Sequence, residues 1–162
     1  MARTVALAFR VPVVIASLNE RYRKWFSSAH GVTEEIVESV NDLCSLANLA
    51  DSFFQVEDMS QEDYFTDEKI VKFAPHAKFF AGVPLSDPNG KRFGTLCLLD
   101  FKPRQINDTN QRLLESFGSL LANDICVRSA GRYAVRDLIS AEEEKCALYD
   151  MAVTDSLTGV LN

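Results

Sequence analysis

Residues 78–101 of this chain read KFFAGVPLSDPNGKRFGTLCLLDF. Two apolar runs, rich in aromatic and branched side chains, flank the turn Pro88-Asn89-Gly90. Asn-Gly supplies the positive φ that a tight hairpin turn needs, and turn residues of this kind typically bound strands. The stretch therefore predicts a β-hairpin with one strand at residues 78–87 and the other at residues 91–101.

Three shorter strands are predicted upstream of this hairpin. Residues 11–18 (VPVVIASL) are an apolar run of strand length, and the chain turns after them into a second strand at residues 21–27. Residues 53–57 give a third short strand. Five strands in this part of the chain indicate a central β-sheet.

Helices are predicted between these strands. Residues 2–9 form a short helix. Thr33, with two glutamates in the turn that follows it, begins a helix that runs to about residue 50, because acidic side chains stabilise a helix N-terminus. Residues 58–77 are polar and irregular, with residues 67–73 as a candidate short helix. This mixture of strands and helices predicts an α+β domain.

The composition of the chain changes after residue 103. All five prolines and ten of the eleven phenylalanines lie at or before it. A proline-free stretch with apolar residues at spacings of three and four is a long helix. Asn107 or Asp108 caps its start, and its last apolar residue is Val153. Such a helix would reach about 70 Å, so its second half must pack on a partner or stand in solvent.

Charge and composition exclude several classes of protein. The 162 residues carry 17 basic and 23 acidic side chains, which gives a net charge of -6 and a pI near 4.9. Nucleic-acid binding needs a basic surface, so no nucleic-acid partner is expected. No uncharged stretch approaches the roughly 20 residues of a membrane-spanning helix, and the N-terminus lacks a signal-peptide pattern. We therefore expect a cytoplasmic protein without a membrane partner.

Cysteines and histidines predict no metal site. Cys44, Cys97, Cys126 and Cys146 stand far apart, no Cys-x-x-Cys occurs, and the chain has only two histidines. Without an export signal, these thiols are expected to be reduced. Cys44 and Cys97 lie in apolar runs, so both are predicted to be small buried residues.

The hairpin and the segments before it resemble the GAF domain family. That family often reads F-Y-A-G-x-P-L, a short glycine turn and I-G-T-L-C-V-x-D; here FFAGVPL stands at residues 79–85 and GTLCLLD at residues 94–100. Residues 11–27, which end in WFS, resemble the family's first hairpin, and Cys44 falls where many members carry a cysteine. The resemblance assigns residues 1–127 to a GAF sensor domain. It implies a central antiparallel sheet with helices on its faces, followed by a long C-terminal signalling helix.

The resemblance also implies a cavity for a small molecule between the sheet and the cover on one of its faces. An apolar pocket with a few polar groups is the usual small-molecule site. The predicted lining residues are Phe54, Val56, Phe65, Phe73, Phe80 and Cys97. No cofactor is predicted, and the ligand is an unknown small molecule. Because an aromatic side chain on a strand is often a core residue instead, a ligand-free dimerisation scaffold remains an alternative.

The end of the chain resembles a second family. Residues 155–162 read DSLTGVLN, which resembles the D-x-L-T-G-L-x-N that opens a GGDEF (diguanylate cyclase) domain. The resemblance assigns residues 128–154 to a signalling helix and residues 155–162 to the first residues of a GGDEF domain, a partner in cis. It implies that the chain regulates a diguanylate cyclase in bacterial cyclic di-GMP signalling. No GGDEF or GGEEF sequence occurs in the 162 residues, so no catalytic residue is predicted.

An enzymatic alternative rests on the cysteines. Some GAF proteins reduce free methionine sulfoxide with cysteines, but a nucleophilic cysteine needs a nearby base and an electropositive setting. Cys97 lies between two leucines and has neither in the sequence. His30 and His76 fit turn or surface positions. Asp100, at the end of a strand, fits a hydrogen-bonding residue better than an acid catalyst.

The second half of the long helix predicts a parallel homodimer. Its apolar residues are Val135, Leu138, Ile139, Tyr149 and Val153. An isolated helix is marginal in water, so these residues are expected to pack against their symmetry mates. Parallel pairing is favoured because both helices must deliver two cyclase domains to the same end. Arg128, Arg132 and Glu142 interrupt the seam, so a monomer with a disordered tail remains the alternative.

Overall fold

A computed structural model describes residues 1–18, 28–31, 44, 47, 49–61 and 77–158, and from residue 150 onward it describes the backbone only. The elements are helix α1 (Ala2–Phe9), strands β1 (Val13–Leu18), β2 (Ser28–His30) and β3 (Phe54–Val56), a short 3-10 helix (Met59–Gln61), strands β4 (Phe79–Ser86) and β5 (Arg92–Asp100), and helix α2 (Asp108–Thr158). Cys44, Ala47 and Leu49 have helical backbone conformation.

The strands of the described residues form one five-stranded sheet in the order β2-β1-β5-β4-β3. Every neighbouring pair is antiparallel. Strand β5 lies at the centre, where Cys97 is paired with Ile15 on one side and with Gly82 on the other. Helices accompany this sheet, so the predicted α+β class with a central antiparallel sheet is confirmed.

Asp87 builds the turn between β4 and β5. Its carboxylate accepts hydrogen bonds from the backbone N–H groups of Asn89 and Lys91, both at 2.9 Å. The Gly90 N–H donates to the Asp87 carbonyl, and Gly90 has a φ of 78°. Glycine adopts this left-handed conformation readily because it lacks a Cβ. The predicted hairpin is confirmed, and the positive φ falls on Gly90.

Side-chain alternation along β5 separates the core into two clusters, one on each face of the sheet. Leu96 belongs to the first cluster, together with Val5 of α1 and Leu114 of α2. Cys97 belongs to the second cluster, together with Cys44. Helix α1 and the beginning of α2 therefore cover one face, and Cys44 covers part of the other.

Asn107, one of the two residues predicted as the cap, caps helix α2. Its side-chain oxygen accepts a hydrogen bond from the Asn110 N–H at 2.9 Å. This bond satisfies one of the N–H groups that have no partner within the first turn of a helix. The helix runs to Thr158 and so extends past the predicted end at Val153.

Other predicted elements are shorter than expected or lie outside the described residues. Strand β3 is Phe54–Val56, within the predicted range of 53–57. The strand predicted at residues 21–27 and the short helix predicted at residues 67–73 lie outside the described residues. So does most of the helix predicted from Thr33, although its residues Cys44 and Ala47 are described and are helical.

The chain divides into two compact units, Met1–Cys126 and Val127–Asn162. The first unit contains the sheet and both core clusters. The described residues of the second unit are helical, and nearly all of the side chains described there are exposed. No helix in the described part of the chain has both the length and the apolar character of a membrane span.

Candidate functional site

The sheet face that carries Cys97 is the candidate ligand site. We call its buried side chains, with two partly buried neighbours, the Cys97 face: Val13, Ile15, Cys44, Ala47, Val56, Met59, Phe80, Cys97 and Leu99, with Phe54 and Ala77 packed against them. Four of the six predicted pocket residues lie together here, namely Phe54, Val56, Phe80 and Cys97. The other two, Phe65 and Phe73, lie outside the described residues.

The four predicted residues are packed to different degrees. Phe80 and Cys97 have no exposed surface, Val56 is nearly buried, and Phe54 is half-buried. The ring centroids of Phe54 and Phe80 lie 6.1 Å apart with the rings tilted by 58°, which is typical of aromatic pairs in a core. The face is apolar, as both a core and a ligand pocket are, so contact with a ligand stays a prediction.

The helical residues Cys44 and Ala47 lie directly on the sheet. The Cys44 carbonyl accepts a hydrogen bond from Oγ1 of the buried Thr95 at 3.1 Å. A Cβ added at Gly82 would lie 2.6 Å from the Ala47 Cβ, so only glycine leaves room for this approach. The Cys44 Sγ lies 2.8 Å from the Cys97 Sγ. Together these three contacts fix where Cys44 meets the sheet.

Burial controls the chemistry of Cys97. Removal from water raises the pKa of its thiol well above the ordinary value of 9.0, and the hydrogen bond with Cys44 raises it further. Because the thiolate is the reactive form of cysteine, this environment disfavours a nucleophilic role for Cys97 at neutral pH. The sequence predicts that both cysteines are buried, but it carries no local signal for their pairing across 53 positions.

Arg104 joins the end of β5 to the end of α1. Its Nε donates to the Asp100 carboxylate, and its terminal nitrogens donate to the carbonyls of Phe9 at 3.4 Å and Arg10 at 2.6 Å. Asp100 is buried and also accepts a hydrogen bond from the Lys102 N–H. Asp100 is therefore the strand-end hydrogen-bonding residue that the sequence predicts. The sequence does not predict the role of Arg104, because its only sequence signal is its spacing of four from Asp100.

No metal centre is present in the described part of the chain, where no three His, Cys, Asp or Glu side chains converge on one point. His30 is half-buried at the end of β2. His76 lies outside the described residues. The candidate site offered by the described residues is therefore the apolar Cys97 face.

Comparisons with known proteins agree with this architecture. The family profile of the GAF domain matches residues 3–125, which is most of the chain. The chain belongs to the GAF domain family. The GAF domain from an Acinetobacter phosphoenolpyruvate-protein phosphotransferase has the same fold, with a TM-score of 0.61 and 20% identity over 82% of each chain.

Two further comparisons bear on function. The cyclic di-GMP phosphodiesterase PA2567 of Pseudomonas aeruginosa is 29% identical to this GAF domain over 114 residues, or 70% of this chain. Those residues are 19% of that protein, so this chain spans about a fifth of the relative's length. The free methionine-R-sulfoxide reductase of Neisseria meningitidis has a TM-score of 0.58 at 14% identity, covering 82% of this chain and 76% of that one. The second comparison shows a shared fold alone.

The residues predicted to pair two copies of this GAF protein are exposed on α2. Val135, Leu138, Ile139 and Tyr149 each expose more than half of their surface, whereas the side chain of Val153 is not described. At 3.6 residues per turn these four lie within an arc of about 100°. Cys146 and Glu142 lie within the same arc. We call these six residues the α2 stripe; its pairing with a second copy stays a prediction.

Proposed function

We propose that this GAF domain regulates a diguanylate cyclase domain in cyclic di-GMP signal transduction. The observation that carries the proposal is DSLTGVLN at residues 155–162, which resembles the opening of a GGDEF domain and begins within helix α2. The relative from Pseudomonas aeruginosa supports the same signalling molecule, because it is a cyclic di-GMP phosphodiesterase. Residues 1–162 contain no GGDEF sequence, so their proposed role is regulatory and not catalytic.

The proposed signal travels along α2. Two copies pair in parallel through the α2 stripe, and binding at the GAF domain changes the twist or register of the paired helices. Two cyclase domains must face each other over two GTP molecules, so this change sets their activity. A switch needs an element with two packings of similar energy. Glu142 lowers the stability of the paired helices, because the Glu142 carboxylates of the two copies carry like charges and meet within the seam.

The Cys97 face is the proposed site of ligand binding. Half-buried Phe54 lies at its margin, and Val56 and Phe80 give it an apolar lining. A small, mostly apolar molecule is the class of ligand that such a surface accepts. The complete burial of Phe80 and Cys97 favours the competing proposal, in which this face is a core and the GAF domain is a dimerisation scaffold. Because GTP is a cytoplasmic substrate, the proposed location is the cytoplasm.

A reductase of free methionine sulfoxide is the second candidate. It is favoured by the shared fold with the Neisseria meningitidis enzyme and by the two sulfurs 2.8 Å apart. We prefer the regulatory function because Cys44 and Cys97 are both buried and burial raises the pKa of Cys97, which leaves little thiolate. Turnover of methionine sulfoxide with thioredoxin as reductant, lost in Cys97→Ser, would favour the enzyme instead.

A fusion protein tests the regulatory proposal. Residues 1–162 are joined to a diguanylate cyclase catalytic domain at its own D-x-L-T-G-L-x-N, and cyclic di-GMP production from GTP is measured. Ile139→Asp places a charge in the α2 stripe, where an unpaired charge in a seam costs several kcal/mol. We expect production to fall by about tenfold or more, since each 1.4 kcal/mol changes the dimer constant tenfold.

Ser140→Asp is the matched control, because it adds the same charge one residue along the helix and outside the stripe. It is expected to retain the activity of the unsubstituted fusion. Equal production from both variants would contradict the proposal that α2 pairing controls the cyclase. If the two variants are equal because both lose activity, the added charge on α2 is decisive and its position in the stripe is not.

A further inference from the structure

We propose that Cys44 and Cys97 are a redox site, which a hydroperoxide oxidises to an intramolecular disulfide within the folded GAF domain. The two Sγ atoms lie 2.8 Å apart, only about 0.8 Å more than the roughly 2.0 Å of a disulfide bond. Both residues are buried, and one belongs to the helical residues on the sheet while the other belongs to the central strand. The regulatory function proposed above does not use this pair.

Contacts on either side of the pair hold the two cysteine backbones next to each other. The Thr95 hydroxyl fixes the Cys44 carbonyl, and Thr95 stands two residues before Cys97 on the same face of β5. Ala47 lies against Gly82, which is paired with Cys97 in the sheet. These contacts fix the backbone at Cys44 against the strand that carries Cys97. The two sulfurs have to approach by only about 0.8 Å to reach the length of a disulfide bond.

The oxidation takes two electrons from the pair. One sulfur attacks a peroxide oxygen, the O–O bond breaks, and a sulfenic acid and one molecule of water or alcohol form. The second sulfur then attacks the sulfenic sulfur, the S–S bond forms, and its hydroxyl leaves as water with the proton of the second thiol. The peroxide is reduced by the two electrons that the sulfurs lose. A dithiol reductant reverses the process by exchange.

Burial makes the oxidation of Cys44 and Cys97 slow. The raised pKa of Cys97 keeps its thiol protonated, so reaction requires local opening that admits peroxide. Exposed Cys146 is open to oxidation first. Once formed, the disulfide ties Cys44 to β5 and holds the Cys97 face closed. The oxidation state of the pair would thereby set how easily that face opens to a ligand.

The test uses the chain with Cys126→Ser and Cys146→Ser, in which only the pair remains. The folded protein is treated with millimolar hydrogen peroxide, denatured, reacted with a maleimide and weighed intact by mass spectrometry. We expect a monomer that has lost two hydrogen atoms, takes up no maleimide and regains two reactive thiols after dithiothreitol. Its thermal midpoint is expected to rise by about 10 °C, because a disulfide across a long loop typically stabilises by a few kcal/mol.

A further Cys44→Ala substitution is the control, and Cys97→Ala serves the same purpose if that protein does not fold. After the same treatment, either control is expected to carry oxygen or maleimide adducts. Its thermal midpoint is expected to be the same before and after peroxide. The proposal is overturned if the peroxide-treated pair still takes up two maleimides or gains oxygen atoms without losing hydrogen. It is also overturned if the disulfide forms only in denaturant, since the fold then does not bring the sulfurs together.

Discussion

Gly82 lies where the helical residues approach the Cys97 face closely. Its missing side chain leaves room for Ala47, and a Cβ there would also lie 3.4 Å from Cγ2 of Thr95. We expect Gly82→Ala to lower the free energy of unfolding by about 1–3 kcal/mol, because overpacking a core forces backbone shifts. Urea unfolding measures the effect.

Gly131→Ala is the control for this substitution, because nothing lies within 4 Å of a Cβ at Gly131 on α2. Alanine is better than glycine in a helix by roughly 0.5–1 kcal/mol, so this control should not destabilise the protein. Equal stability of the Gly82→Ala and unsubstituted proteins would show that the helical residues do not press on the sheet at this point.

Cys97 gives the stability a dependence on alkaline pH. Its pKa in the folded protein is raised above 9.0, so the folded chain keeps a proton that the unfolded chain loses at high pH. Stability from this thiol is therefore complete below pH 9 and falls above it by about 1.4 kcal/mol per pH unit. Urea unfolding over this pH range should show a steeper fall for the unsubstituted protein than for Cys97→Ala. Parallel curves would mean that the thiol ionises as freely in the folded protein as in the unfolded one.

Individual residues differ in how well the sequence predicts them. Burial of Cys44 and Cys97 follows from the apolar runs around them. Their contact does not, because it depends on where a helix crosses a sheet 53 positions away in sequence. The predicted pocket residues that are described fall in one cluster, since alternation along β3, β4 and β5 is a local property.

At the level of elements, Arg104 is the link between the ends of α1 and β5. We expect Arg104→Ala to lower the free energy of unfolding by about 1–3 kcal/mol, because it removes the hydrogen bonds that Arg104 donates to the buried Asp100 carboxylate and to two carbonyls. Compared with the unsubstituted protein, Arg104→Ala should speed hydrogen exchange in α1 more than in β5. Arg112→Ala, at an exposed position on α2, is the control and should change neither measurement. Unchanged protection of α1 would contradict the proposed link.

Cys146 reports the orientation of paired α2 helices. It lies in the α2 stripe and is exposed, so in a parallel pair each Cys146 faces its own mate. Mild oxidation of the Cys126→Ser protein should therefore give a disulfide-linked dimer on a non-reducing gel, and additional Cys146→Ser should abolish it. An antiparallel pair would separate the two sulfurs. Absence of the linked dimer at a concentration where the protein is dimeric would thus contradict parallel pairing.

Elements with strong local signals are the ones that the sequence predicts well. The β4–β5 hairpin follows from its turn residues, and the start of α2 follows from Asn107. The exact ends of strand β3 are harder to predict, because they depend on its pairing with β4. The order of strands in the sheet is likewise a property of long-range pairing.

At the scale of the whole molecule, the two compact units differ in how they bury apolar side chains. The first unit buries apolar side chains on both faces of its sheet. The second exposes Val135, Leu138, Ile139 and Tyr149 on a single helix. A lone helix gains most of its stability from packing an apolar face, so we propose that the second unit packs this stripe against a partner. The proposed partner is a second copy in parallel, which would also give the arrangement that the proposed cyclase regulation needs.

Sedimentation velocity of the whole chain, compared with a version that ends at Val127, tests this claim most directly. The account predicts a dimer for the whole chain at micromolar concentrations and a monomer for the shorter version. Monomers in both cases would contradict pairing through α2. Dimers of equal strength in both cases would contradict it as well, because the contact would then lie within Met1–Cys126.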